Sequence, residues 1–209
     1  MTDKIVTYNV VVLPDEKVRR QVIFRSEQIS KKFQTKFTLD GNKFHPHITL
    51  YQAAYPESNI EQIKQRLTKI ASNTTLFQIT LTKIESFMQF IFLNAVKSRE
   101  LFDLHKLIID ALNPLREGTL IPDDEEDLQN PETPQQVKDS ILRYGYSLAL
   151  EAFAPHITLS RLKNGEDVEK ALDSIAVKPY TFTVDAMYLT NRGQNGTCNE
   201  IFARFPFAH

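Results

Sequence analysis

The sequence predicts an α+β fold made of two similar lobes that face each other across a shared groove. The first observation is a repeat, because the tetrapeptide His-Ile-Thr-Leu stands at positions 47–50 and again, unchanged, at 156–159. Each copy follows a proline and has a phenylalanine just upstream, Phe44 in one case and Phe153 in the other. The second observation is that a helical pattern, an alternating strand pattern and a further strand follow each copy. We interpret the chain as an internal duplication with pseudo-twofold symmetry.

The first half of the chain supplies well-defined elements. Positions 5–13 are rich in valine and end at Pro14, which predicts a strand. Asp15 is placed to cap the helix that follows, which we expect to run to about Phe33. The other elements predicted in this half are a strand bracketed by Phe44 and Leu50, a helix over 57–72, strands over 77–82 and 87–96, and a helix over 99–112.

The segment 115–136 breaks this pattern. It contains glycine, three prolines and a run of five acidic residues, Asp123 to Asp127. We predict a long exposed insertion loop, which is either a mobile lid over the groove or a solvated surface insertion. The elements predicted after it are a short helix over 137–142, the second repeat strand, a helix over 166–176, and strands over 180–186 and 200–205.

Length and composition bound the organisation. A chain of 209 residues suits one domain or two small fused lobes, so we predict a single bilobal domain over 1–209. We centre the first lobe on 44–96 and the second on 153–205. The net charge of −1 gives no global field for a DNA duplex. One cysteine excludes an internal disulfide and no apolar run has membrane-spanning length, so we expect a cytoplasmic protein.

Each repeat places an imidazole beside a hydroxyl. Alternate side chains of a strand share a face, so His47 and Thr49 point one way while Ile48 and Leu50 point toward a core. A hydroxyl donates hydrogen bonds to an anion, and an imidazole gives or takes a proton near neutral pH. A single motif of this kind is usually structural, whereas an identical repeat favours function. Two facing copies would supply one acid, one base and two phosphate-binding hydroxyls.

At this point the motifs resemble a known family. Two His-x-Thr motifs, one in each half, are similar to those of the 2H phosphoesterase superfamily, which includes 2'-5' RNA ligase-like proteins and RNA 2',3'-cyclic phosphodiesterases. The opening Val-Val-Val-Leu-Pro-Asp at 10–15 is also similar to the family's start. The second motif continues to Arg161, as in the bacterial ligase-like branch. The resemblance covers nearly the whole chain except 115–136.

The resemblance implies a LigT-like fold, in which each lobe is an antiparallel sheet with helices on its outer face. It implies that His47 and His156 are catalytic, and that Thr49 and Thr158 bind the scissile phosphate with help from Arg161. The family needs no metal and no cofactor for this chemistry. The positions after the first motif, Tyr51 and Gln52, match no general feature of the family.

The resemblance also implies a function. We expect hydrolysis of a 2',3'-cyclic phosphate or a 2'-5' phosphodiester, with 2'-5' RNA ligation or nucleotide binding alone as alternatives on the same fold. The expected partners are RNA termini or small nucleotides, with no membrane and no DNA duplex. We expect a monomer. The sequence leaves open which histidine is the base.

Several further residues invite competing interpretations. Tyr51 and Phe44 either stack on a nucleotide base or, as the aromatic composition favours, pack in the core. His45 and His47, with His105 as a third ligand, form the alternative of a metal site. The remaining candidates are Cys198, which we expect to be an ordinary thiol rather than a nucleophile, and His209, which we expect to be frayed.

Overall fold

A computed structural model describes residues 3–176 and 178–208, so the expectation for His209 lies outside the described residues. Within these ranges, all strand pairs are antiparallel and form one sheet. The strands are β1 (Ile5–Val12), β2 (Ile48–Pro56), β3 (Phe77–Phe87), β4 (Phe90–Ala95), β5 (His156–Arg161), β6 (Tyr180–Val184), β7 (Ala186–Asn191) and β8 (Ile201–Pro206). The α-helices are α1 (Glu16–Lys32), α2 (Ile60–Ala71), α3 (Arg99–Leu112), α4 (Pro122–Gln129), α5 (Gln135–Tyr144) and α6 (Val168–Asp173).

The strand order is symmetric about its centre. The order β6-β3-β4-β5-β2-β1-β7-β8 places the two repeat strands, β5 and β2, side by side with three strands beyond each. These central strands are joined through the single pair Ile48 and Ile157. We call this junction the seam. The α+β class and the two similar antiparallel halves that the sequence predicts are therefore confirmed.

The predicted lobe boundaries, by contrast, do not match the sheet. The range 44–96 contains β2, β3 and β4, but β3 and β4 lie beside β5, on the other side of the seam from β2. The range 153–205 is divided in the same way, because β7 and β8 lie in the half that contains β2. The connections after β2 and after β6 carry the chain across the seam, so each half of the sheet is built from both parts of the sequence.

The helices cover the apolar face of the sheet. Helix α1 packs against β5 and β6, α2 packs against β7 and β8, and α3 packs against β2. Helix α1 begins where Asp15 accepts a hydrogen bond from the Val18 amide at 2.8 Å, as its predicted capping role requires. Helix α3 spans the predicted residues because Leu101, Leu104 and Ile108 recur at helical spacing and are all buried.

The first repeat strand begins later than predicted. It spans Ile48–Pro56 rather than the stretch between Phe44 and Leu50. Pro46 has no amide hydrogen to donate to a strand ladder, and the amide of His45 instead donates to the Cys198 carbonyl at 2.9 Å. His47 therefore lies immediately before the strand that carries the rest of its motif.

The segment 115–136, predicted to be an exposed loop, is exposed at most positions but is not a continuous loop. The segment contains α4 and the start of α5, and it buries Leu115, Arg116, Ile121 and Asp124. The acidic run forms the body of α4, where Pro122 and the first carboxylates occupy the N-terminal turn that favours them. Because acidic residues are most often solvated, the composition of this run gave no sign of the burial around it. None of the helices in the described ranges combines the length and hydropathy that crossing a bilayer requires.

Candidate active site

The two repeats lie next to each other at the seam. In both strands the apolar residues of the repeat face the core, since Ile48, Leu50, Ile157 and Leu159 are all 0% exposed. The antiparallel register through Ile48 and Ile157 then sets His47 across from Thr158, and His156 across from Thr49, on the opposite face. The seam therefore brings the four polar side chains of the repeats to one surface, which we call the groove face.

A β-bulge adds Arg161 to this surface. Ser160 pairs with Ile91 and Thr158 pairs with Phe92, so Leu159 is an extra residue without a partner of its own. The extra residue shifts the alternation by one, and both Leu159 and Ser160 are buried. Arg161 consequently shares the groove face with Thr158, although three positions separate them in sequence.

The first repeat contains the same bulge at the same place. Tyr51 pairs with Val10 and Thr49 pairs with Val11, which leaves Leu50 as the extra residue. Gln52 is thereby placed beyond Thr49 as Arg161 is placed beyond Thr158, and it is half-buried. The structure thus identifies Gln52 as the counterpart of Arg161, a correspondence that the sequence alone did not reveal.

Each catalytic candidate histidine is oriented by the same local contact. The Nδ1 of His47 donates to the His45 carbonyl at 2.9 Å, and the Nδ1 of His156 donates to the Ala154 carbonyl at 2.7 Å. A carbonyl can only accept, so Nδ1 carries the hydrogen in both rings and Nε2 keeps a lone pair when the ring is neutral. The proline between each histidine and its acceptor fixes the backbone that brings these two atoms together. Within the described ranges neither Nε2 makes a hydrogen bond, so both can accept one from a ligand.

Burial lowers the pKa of both imidazoles. The pKa of His47 is lowered to about 4, mainly by desolvation and to a lesser extent by the nearby His156 and His45 rings, while the carbonyls of His45 and Gly196 act in the opposite direction. Burial also lowers the pKa of His156 below its ordinary value of 6.5, opposed by the Ala154 carbonyl. The electrostatic influence of His156 on His47 indicates that the two rings lie close together at the seam.

Thr49 has a partner that the sequence did not predict. The Asn9 side-chain amide donates to the Thr49 hydroxyl at 3.3 Å, and Asn9 itself is 0% exposed in the middle of β1. Because the Thr49 oxygen accepts this bond, its own hydrogen is available to a ligand in the groove. A single amide inside a valine-rich strand is the signal that could have identified Asn9.

Arg161 is held on two sides. Its guanidinium lies over the Phe90 ring, 4.7 Å from the centroid. Its Nη1 donates to the Asn195 side-chain oxygen at 2.8 Å, in the turn between β7 and β8. An aromatic face and an amide oxygen fix the plane of the guanidinium without neutralising its charge, which suits a residue that binds an anion.

An aromatic strip lies along β4 beside the second repeat. The Phe92 ring contacts the His156 ring with centroids 4.3 Å apart, and Phe90 stacks parallel to Phe92 at 5.8 Å. Both side chains are half-buried, and the strand pairing places them beside Thr158 and Arg161 on the groove face. Alternation of phenylalanine within the predicted strand 87–96 is the sequence signal for this strip.

The two aromatic residues proposed from the sequence lie elsewhere. The bulge at Leu50 turns Tyr51 into the core, where it is 1% exposed and donates to the Tyr144 carbonyl at 2.6 Å. Tyr51 is therefore unavailable to stack on a base. Phe44 is partly buried and packs against Phe37 at 5.8 Å, in agreement with the alternative of core packing.

The contacts of His105 do not suit the alternative of a metal site. Its Nδ1 bonds the Leu50 carbonyl, its Nε2 accepts from the Leu150 amide at 2.8 Å, and its ring stacks on Phe153 at 3.9 Å. Both ring nitrogens are therefore occupied, and His105 is not free to join His45 and His47. The described part of the chain contains no group of three or more His, Cys, Asp or Glu side chains placed to hold a metal ion.

Cys198 is buried, just after the turn between β7 and β8 that contains Asn195. Burial raises the pKa of its thiol to about 11, so the group is protonated at neutral pH. A protonated, buried thiol is a poor nucleophile, which agrees with the expectation of an ordinary cysteine. The contribution of this segment to the groove is structural, through the Cys198 carbonyl that accepts from the His45 amide.

Comparison with solved structures finds the same fold. A protein of Thermus thermophilus, TT0787, superposes with a TM-score of 0.59 at 17% identity, over 97% of this chain and 100% of that one. Escherichia coli LigT complexed with phosphate gives a TM-score of 0.58 at 13% identity, over 100% of both chains. LigT complexed with 3'-AMP gives 0.56 at 14% identity, over 99% of this chain and 100% of that one. A search of curated proteins found no match.

These likenesses show that the chain has the same fold as these proteins. A sequence profile described as the 2'-5' RNA ligase superfamily matches residues 24–196, which is most of the chain. The protein belongs to the 2'-5' RNA ligase superfamily.

Proposed function

We propose that this protein is a metal-independent phosphodiesterase that hydrolyses a 2',3'-cyclic phosphate or a 2'-5' phosphodiester at an RNA end or in a small nucleotide. The observation that carries the proposal is the pair of imidazoles at the seam, each fixed through Nδ1 and each with Nε2 left for a substrate. The catalytic residues proposed are His47 and His156.

Two histidines are sufficient for both proton transfers. In the opening of a cyclic phosphate, one neutral imidazole removes a proton from water as the water oxygen bonds to phosphorus. The other imidazole, protonated, gives a proton to the ribose oxygen as its bond to phosphorus breaks. The stronger effect of burial on His47 favours it as the neutral base and His156 as the acid. The pair returns to its starting state when a proton passes back through solvent.

The phosphoryl oxygens need donors because negative charge builds up on them in the transition state. Thr49 and Thr158 lie beside the two imidazoles at the seam, and Arg161 follows on the same face. Donors aimed at the developing charge are typically worth about 10²- to 10³-fold each in rate. The Phe92 ring, next to His156, is the surface we propose for stacking of the nucleotide base.

The relatives support a nucleotide as the substrate class. LigT has been crystallised with phosphate and with 3'-AMP, and its fold matches this chain over nearly its whole length. A phosphate and a ribonucleotide are the parts that the two histidines and the aromatic strip would contact here. We further propose that the protein acts as a monomer in the cytoplasm on RNA termini or small nucleotides.

The test is a direct assay of hydrolysis. The four nucleoside 2',3'-cyclic monophosphates and a 2'-5' linked dinucleotide are incubated with the protein, with and without EDTA. We expect turnover of at least one substrate, unchanged by EDTA and lost in His156→Ala. Product regiochemistry identifies the ribose oxygen that leaves. A folded protein that hydrolyses none of these substrates would contradict the proposal.

The family also favours ligation as a second candidate. Formation of a 2'-5' bond from a cyclic phosphate uses the same two proton transfers, with a ribose hydroxyl in place of water as the nucleophile. The same residues would serve in both reactions, so the site does not distinguish ligation from hydrolysis. Incubation of an RNA with a cyclic phosphate end together with an RNA with a 5'-hydroxyl end separates the activities, because only ligation lengthens the chain.

A further inference from the structure

A pocket that contains two arginines adjoins the groove face. It has a volume of about 410 Å³ and is lined by Arg161, Arg192, the turn residues 193–195 and Asp123. Arg161 connects it to the reaction centre, because the same guanidinium follows His156 and Thr158 on one face of β5. Two features of the pocket suit it to a ligand, namely the free hydrogen-bonding capacity of its arginines and the weak hold of Asp123.

Both arginines have donors to spare. The Nε atoms of Arg161 and Arg192 are buried, and within the described ranges neither meets a hydrogen-bond acceptor. Buried donors of this kind are normally satisfied in native proteins, so each calls for a partner that a ligand could supply. A guanidinium presents a planar fork of donors that matches the oxygens of a phosphate group.

The turn that carries Arg192 is built tightly. The Gly193 amide donates to the Thr197 carbonyl at 2.8 Å and closes the turn. A Cβ atom at position 193 would stand 2.6 Å from both the Asn199 and the Thr197 side-chain oxygens, so only glycine fits. Asn195, in the same turn, binds Arg161. One rigid turn therefore sets the positions of both guanidinium groups.

Asp123 occupies the place of an anion in this pocket. Its carboxylate bonds the Nη2 of Arg192 at 2.5 Å, while its side chain is 67% exposed and that of Arg192 only 20%. An ion pair with one partner so exposed is held weakly, because water solvates the carboxylate when it leaves.

We propose that Arg161 and Arg192 form a second phosphate subsite, which Asp123 fills when no ligand is bound. The proposal rests on the function proposed above and names its substrate class. The preferred substrate carries a second phosphate beyond the one that is attacked, as in an oligonucleotide end or a nucleotide bearing an additional phosphate. On binding, the second phosphate displaces Asp123 and takes up the donors of Arg192.

The experiment compares two ligands by calorimetry. Adenosine 3'-monophosphate carries a phosphate for the histidine centre alone, whereas adenosine 3',5'-bisphosphate adds one for the second subsite. We expect the wild-type protein to bind the bisphosphate about 10- to 100-fold more tightly, the range for charged hydrogen bonds. Arg192→Met should abolish that preference and leave monophosphate affinity unchanged. Asp123→Asn should strengthen bisphosphate binding alone.

A matched control is available in the same sheet. Arg204 pairs with Asp185 at 2.8 Å on β8, away from this pocket, so Arg204→Met removes an equivalent ion pair without touching it. We expect Arg204→Met to keep the preference for the bisphosphate. Equal affinity of the wild-type protein for both ligands, or equal weakening of both by Arg192→Met, would overturn the second subsite.

The result also separates this inference from the proposed function. A preference for the bisphosphate that depends on Arg192, without hydrolysis of any cyclic phosphate or of the 2'-5' linked dinucleotide, would support the subsite and refute the proposed activity. Hydrolysis of cyclic monophosphates by a protein with no such preference would support the proposed activity and overturn the subsite. Binding of neither ligand would overturn the subsite.

Discussion

Ile48 pairs with Ile157 across the centre of the sheet, and this one contact aligns the two repeats of the chain. Both isoleucines are 0% exposed and face the helices, so the polar residues on either side of each face the groove. A shift of the register by one residue would turn the histidines and threonines into the core. The geometry of the candidate site therefore depends on a packed apolar pair beneath it.

Replacement of either histidine should abolish turnover with the fold intact. We expect His47→Ala and His156→Ala each to lower kcat for a 2',3'-cyclic mononucleotide by at least about 10²-fold, because each removes one proton transfer. His45→Ala is the matched control, since it removes a neighbouring ring but keeps the backbone carbonyl that orients His47. Circular dichroism verifies folding. Near-normal turnover by a folded His156→Ala protein would refute the two-histidine mechanism.

Asn9 should act through Thr49 rather than on its own. We expect Asn9→Leu to lower kcat/KM about 10-fold, the effect of one lost hydrogen bond, and Thr49→Val to lower it more. Because the amide orients the hydroxyl, the double variant should be no slower than Thr49→Val alone. The measurement is a double-mutant cycle on kcat/KM. Losses that simply multiply would show that Asn9 acts independently of Thr49.

Phe92 should contribute to recognition of the base. We expect Phe92→Leu to raise KM for a nucleoside cyclic phosphate about 5- to 150-fold, the range for loss of one base–aromatic stack. Since Phe92 also contacts His156, a ribose cyclic phosphate without a base serves as the control substrate and should be affected much less. Phe77→Leu, which alters a stacked pair in β3 instead, should leave both substrates unchanged. Equal losses on both substrates would show that Phe92 acts only through its contact with His156 and not by stacking on the base.

The pH at which kcat/KM is greatest should lie below neutrality. Burial lowers the pKa of His47 to about 4 and that of His156 below 6.5, and the reaction needs one ring neutral and one charged. As pH rises through the pKa of the acid, its proton is lost, so kcat/KM should fall from a maximum below pH 6.5. At low pH the base becomes protonated and the rate falls again. A rate that continues to rise up to pH 8 would contradict this assignment.

The sequence predicted local features well and long-range features less well. Helix α3 was predicted at its observed bounds because its apolar residues follow one helical face. The matching bulges at Leu50 and Leu159 were not foreseen, because a bulge is defined by the strand opposite and not by its own residues. This is why Tyr51 was considered for stacking although it lies in the core. The neighbour of Thr49, Asn9, is distant in sequence and was missed for the same reason.

The interleaved sheet has a consequence for synthesis of the protein. Strand β1 has β7 as its second neighbour, and β3 has β6, so neither half of the sheet is complete until the last part of the chain has been made. Contacts between residues so far apart in sequence slow the search for the native state. A nascent chain that ends before β6 leaves open strand edges on both sides of the seam, and such edges invite pairing with other molecules. We therefore expect premature termination to yield aggregated fragments rather than a stable single lobe.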